Sequence, residues 1–109
     1  MELTHTKNGN ALVVAVKGRM DAVTAPDFEN GFAELMQDGE KLYVVDLTNL
    51  EYISSAGLRS VLSIAKKIKA AQAEIRFFGL QGMVKEVFAI SGFSAMFPIK
   101  NSLEEATAE

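Results

Sequence analysis

Short apolar runs rich in β-branched residues alternate along this chain with longer segments in which apolar side chains return every three or four positions. Residues 11–16 (ALVVAV) and 41–47 (KLYVVDL) are continuous enough to suit strands covered on both faces. Between them, Phe28, Phe32, Leu35 and Met36 recur at helical spacing and place one apolar stripe toward a core. Thr24-Ala25-Pro26-Asp27 supplies a capping hydroxyl, a proline where no backbone donor is missed, and an acid at the positive end of the helix, so the helix is expected to start there and to stop at Gly39. Asn8-Gly9-Asn10 carries turn chemistry and makes residues 2–6 the first arm of a hairpin whose second arm ends at Gly18. A second amphipathic helix follows Ile53-Ser54-Ser55, with Leu58, Val61, Leu62, Ala65 and Ile68 on its apolar face and Ile64 off it as a surface residue. Residues 74–79 predict another strand, 81–90 a third helix, 96–99 a short last strand and 103–106 a terminal helix.

Strands alternating with helices imply parallel βαβ crossovers. The expected fold is therefore α/β: a mixed, mostly parallel sheet of four to five strands with about four helices and an N-terminal antiparallel hairpin arm. No linker, low-complexity stretch or repeat divides the chain, so residues 1–109 are expected to form a single domain.

Composition narrows the function. A net charge of −3 gives no basic excess to bind nucleic acid, and no apolar window is long enough for membrane insertion. Cysteine is absent, which removes thiolate chemistry and cysteine metal sites, and with no export signal the expected location is cytoplasmic. The one histidine, His5, lies in an alternating segment and reads as a solvent-facing strand residue. No P-loop, GxGxxG, GxSxG or metal-ligand cluster is present, so an α/β enzyme ranks last and no cofactor or metal is expected.

The informative stretch is VVDLTNLEYISSAGLRSVL, where a strand runs through a loop into a helix start carrying Ser54 and Ser55. A phosphoryl group there would gain the free N–H groups and the field of the first helical turn. A serine in that place more often serves only as a cap, and spacing leaves both readings open. Asp46 is expected to structure the loop from the C-terminal edge of the sheet. Asp21 reads equally as a loop acid or as an interface residue. Gly57 reads as a site of close helix approach or of partner contact. Arg59, Lys66, Lys67 and Lys69 are a solvated face or a match for an acidic partner. Phe93, Met96 and Phe97 read as packing residues.

The segment GRMDAVTA, followed by VVDLTNLEYISSAGLRSVL and by the FxxSGF-like Phe88-Ala89-Ile90-Ser91-Gly92-Phe93, resembles the STAS domain of bacterial anti-sigma factor antagonists over nearly the whole chain. The family's aspartate-serine-serine-glycine-leucine motif falls on Ser54, Ser55, Ala56, Gly57 and Leu58, so the resemblance implies that Ser55 is the phosphorylated residue. Its aspartate before the first helix matches Asp21. Two positions depart: Ser54 stands where many members carry aspartate, and Ala56 where many carry a second serine.

The resemblance implies a non-enzymatic partner switch. The unphosphorylated protein binds an anti-sigma factor that is also a serine kinase and so frees a sigma factor; phosphorylation of Ser55 abolishes binding, and a serine phosphatase reverses it. Asp21, Thr24, Ser54, Ser55, Ala56, Gly57, Leu58 and Arg59 are the expected partner-binding residues. The expected assembly state is monomer or weak dimer. The alternative is a STAS binding or scaffold module without phosphorylation, such as a subunit of a transporter or sensory complex.

Overall fold

A computed structural model describes residues 1–108. The elements in order are β1 (Glu2–Asn8), β2 (Ala11–Met20), α1 (Ala25–Leu35), β3 (Leu42–Asp46), β4 (Leu50–Ile53), α2 (Ser55–Ala70), β5 (Glu74–Phe78), α3 (Gly82–Ile90), α4 (Phe93–Met96), β6 (Ile99–Lys100) and α5 (Leu103–Thr107). The α/β fold with its antiparallel hairpin arm is as expected. The sheet runs β1-β2-β3-β5-β6, with β4 pairing the far end of β2. Only the β1–β2 pairing is antiparallel.

The continuous apolar strands are explained by two cores. Along β2, Leu12, Val14 and Val16 point into the larger core with Phe28 and Phe32 of α1 and Val61, Ile64 and Ile68 of α2. Ala11 and Val13 point the other way, to a smaller cluster with Leu42, Val44, Phe78 and Ala106 of α5. Period-two alternation thus persists in a strand with no polar face, because helices cover both sides. Arg76 fastens α5 to β5 by donating to the carbonyls of Ala106 and Ala108 at 3.0 and 2.6 Å. Phe77, Phe88, Phe93 and Phe97 form an aromatic cluster with ring centroids 5.4–5.5 Å apart. His5 is exposed on β1. No described helix is long and apolar enough to cross a membrane.

Four local expectations are corrected. Gly18 does not end β2: at φ +100° it forms a bulge, donates its N–H to Asn49 O at 3.0 Å, and the strand continues to Met20 on a new neighbour, β4. That neighbour makes a sixth strand, which the four residues LEYI were too short to announce. Ile64 is fully buried rather than a surface residue, and Ser60 is buried beside it, so the true centre of the α2 face is Gly57, Val61, Ile64 and Ile68. The last strand starts at Ile99 because residues 93–96 close a helical turn behind Gly92 at φ +85°.

Candidate functional site

The bulge at Gly18 builds the site. By moving β2 from β3 onto β4, it pairs Arg19 with Tyr52 and Met20 with Ile53, so the segments leaving both strands emerge side by side. The Ser54 N–H donates to Met20 O at 2.9 Å and joins the Asp21 loop to the start of α2. Arg19 stacks over the Tyr52 ring with its guanidinium carbon 4.2 Å from the centroid, holding the exposed end of this pairing.

The two serines separate into two roles. Ser54 has extended backbone geometry, and its Oγ accepts the Gly57 N–H at 3.2 Å, which makes it the N-cap of α2. Ser55 is the first residue of the helix and is exposed. The capping function therefore falls on one serine and leaves the other hydroxyl facing solvent at the positive end of a 16-residue helix.

Gly57 is buried, not partner-facing. A Cβ at that position would lie 2.8 Å from Met20 O and 2.8 Å from Ile53 Cγ1, so glycine lets α2 close on the end of β2. Its place among the expected contact residues is withdrawn for that reason. Thr24 also differs from expectation. It stands at the N-cap position of α1, but its Oγ accepts the Asp21 N–H at 2.9 Å and donates to Arg19 O at 2.9 Å instead of capping the helix. Asp21 Oδ1 in turn accepts the N–H groups of Val23 at 3.0 Å and Thr24 at 3.1 Å. The Thr24 backbone bond, followed by those of Val23 and the Thr24 hydroxyl and the charge of Arg19, holds the Asp21 carboxyl below its usual range against the opposing effect of burial.

Asp46 acts one loop upstream of the expected place. Its Oδ1 accepts Thr48 N–H at 2.9 Å and Thr48 Oγ at 2.6 Å, closing the turn between β3 and β4 rather than touching the serines. Gly79 packs on that turn, and Gln81 Nε2 donates to Thr48 O at 2.9 Å.

Asp21, Ala22, Tyr52, Ile53, Ser54, Ser55, Ala56 and Leu58 line one open groove, completed by Met83 and Val87 of α3. Arg59 is exposed on the next turn of α2, outside the groove. Tyr52, Met83 and Val87 are residues the sequence reading missed. The last two sit at i and i+4 on α3 and are half-buried at the rim of the groove. No group of three or more candidate metal ligands occurs among the described residues.

The comparisons with known proteins decide the family. The STAS domain profile matches residues 2–106. The chain belongs to the STAS domain family. A candidate anti-sigma factor antagonist of Bordetella bronchiseptica, BtrV, is 42% identical over 108 residues, covering 99% of this chain and 93% of the relative. An anti-sigma factor antagonist from Mycobacterium paratuberculosis superposes with a TM-score of 0.86 at 23% identity, over 96% of this chain and 89% of that one. The Bacillus protein SpoIIAA in its phosphorylated form superposes with a TM-score of 0.71 at 16% identity, over 96% of both chains. At those identities the two structures speak for the fold, while the Bordetella relative places this STAS protein among the anti-sigma factor antagonists.

Proposed function

We propose that this STAS protein works as a cytoplasmic partner switch, acting as one unit over residues 1–109, with Ser55 as its phosphorylated residue. Unmodified, it docks an anti-sigma factor that is also a serine kinase, and the sigma factor held by that partner is freed. The kinase transfers the γ-phosphoryl of ATP to Ser55 Oγ: a P–O bond forms there as the bond to ADP breaks, and the hydroxyl proton passes to a base of the kinase. A serine phosphatase reverses the step by hydrolysis. The chain itself contributes no catalytic group.

The observation that carries this reading is the exposed Ser55 at the first position of α2, on the rim of a groove whose other walls are Ala22, Leu58, Met83 and Val87. Those apolar walls suit a protein contact. A phosphate adds about −1.5 to −2 charge at pH 7, and docking would then have to desolvate a dianion in that groove. The Asp21 carboxylate lines the same groove and is already held ionised, so the added charge also meets a like charge. The helix start accommodates the phosphate without unfolding, which supports a local change of charge over a change of fold. That SpoIIAA has been solved in a phosphorylated form with this fold supports the same view for the relative.

The test is incubation with the anti-sigma kinase of the same genome and ATP, followed by intact mass of wild type and Ser55→Ala. One phosphate on the wild type and none on the variant is expected. Incorporation that persists in Ser55→Ala rejects Ser55 as acceptor, and no incorporation in either favours the non-phosphorylated scaffold reading.

A further inference from the structure

Ser55 does not stand alone on α2. Arg59 follows at i+4, and Ser63 and Lys66 continue the same side of the helix, with Arg59, Leu62, Ser63, Lys66 and Lys67 lining one shallow surface. The helix carries Arg59, Lys66, Lys67 and Lys69 and no acid, in a chain whose 14 acids outnumber its 11 basic residues. Its cations are therefore unneutralised within the helix. The ion pairs formed among the described residues, Lys7 with Glu40 and Arg76 with Glu74, use none of them.

We propose that Arg59 is the internal partner of a phosphate on Ser55, folding over the modified residue and holding its dianion at the helix start. The inference rests on the reading of Ser55 as the phosphorylated residue and assigns how that state is kept. Helical side chains lean toward the N-terminus, so a residue at i+4 covers the turn that bears residue i. A guanidinium reaching back from Arg59 meets phosphate oxygens that also face the free N–H groups of the first turn. Beside the groove itself, the Arg19 guanidinium is already engaged over the Tyr52 ring. The Asp21 loop presents a carboxylate, β4 presents Tyr52 with Arg19 stacked on it, and α3 presents Met83 and Val87. Arg59 thus serves two states: free for an acidic partner group when Ser55 is unmodified, and withdrawn onto the phosphate afterwards. Phosphorylation in this view removes a cation from the docking surface as well as adding an anion to it.

The test installs phosphoserine at position 55 during translation, so that the assignment is separated from the question of which kinase acts. The second ionisation of the phosphate is followed by phosphorus NMR in the wild-type background, in Arg59→Gln and in Lys66→Gln. Both replaced residues are exposed, so the variants fold, which their amide spectra verify. The expected result is a midpoint in the wild-type background on the order of half a pH unit below that in Arg59→Gln, with Lys66→Gln close to wild type. Equal midpoints with and without Arg59 overturn the assignment, as does an equal displacement in Lys66→Gln, which would make the effect one of net charge. Failure of the kinase to modify Ser55 instead sinks the functional reading, and the two failures are read in separate experiments.

Discussion

Replacing Gly57 by alanine tests whether α2 is held against β2 closely enough to fix the position of Ser55. In an unconstrained helix this change gains up to about 1 kcal/mol, less in the first turn, because alanine has the better helix propensity. Here the new methyl carbon would lie 2.8 Å from Met20 O, well inside the roughly 3.3 Å at which a carbon and a carbonyl oxygen meet comfortably. Ile53 Cγ1, also at 2.8 Å, belongs to a side chain buried in the core. The Met20 oxygen is not free to move, since it is backbone and already accepts the Ser54 N–H at 2.9 Å. Overpacking of this kind costs about 1–3 kcal/mol, so the net expectation is a loss of about 1–2 kcal/mol. For a domain of this size that lowers Tm by about 5–15 °C. Thermal unfolding followed by circular dichroism reads the shift, and amide spectra should show displaced resonances at Met20, Ser54 and Ser55. A variant as stable as the wild type, or more stable, would refute the close-approach argument and with it the stated placement of Ser55.

Removing the cap by Ser54→Ala should cost about 1 kcal/mol in urea unfolding, while Ser54→Asp should leave stability within about 0.5 kcal/mol, since aspartate caps as well as serine. A larger loss in the aspartate variant would show that Ser54 does more than cap. Ile64→Ala should cost about 2–5 kcal/mol, as expected for a fully buried aliphatic residue, and a loss under 0.5 kcal/mol would return Ile64 to the surface. The Asp21 carboxyl is held below its ordinary value of 3.8, so its bonds to the loop stabilise the fold at pH values above that of the unfolded group and lose their effect as pH falls through the lower folded value. Asp21→Asn should therefore be less stable than wild type at pH 7, with the gap closing as the pH falls below that of the unfolded carboxyl; a gap that widens on acidification contradicts the assignment.

Where side-chain period alone decided structure, the sequence was sufficient. The β-branched run 11–16 announced a strand covered on both sides, and Phe28 and Phe32 announced the buried stripe of α1. The resemblance pointed to Ser55, and the structure gives the physical division of labour by assigning the cap to Ser54. What was hidden depends on pairing across the chain. β4 is four residues long with Glu51 exposed, and it exists because the Gly18 bulge offers it a partner. Ile64 was misplaced because Leu58 and Leu62 drew the apolar stripe toward one edge of α2. Those two are half-buried at the rim, whereas the helix packs on both α1 and the sheet through Val61, Ile64 and Ile68. The groove could not be read from any one segment, since Asp21, Tyr52, Ser55 and Met83 come from a loop, a strand and two helices, the first three joined by the β2–β4 pairing and the last brought in by α3 packing on β4. Gly57 was open to two readings in the sequence, close helix approach or partner contact, and the position of the Met20 carbonyl decides for the approach of α2.

The most direct test is titration of the purified anti-sigma factor into isotopically labelled protein, once with Ser55 unmodified and once with phosphoserine at that position, followed by amide NMR. The account predicts broadening around Ala22, Ser55 and Val87 in the unmodified form. In the phosphorylated form it predicts shifts confined to the first turns of α2 and no response to the partner. Equal binding by both forms, or phosphate-induced shifts running through Val14, Phe32 and Phe77, would contradict it.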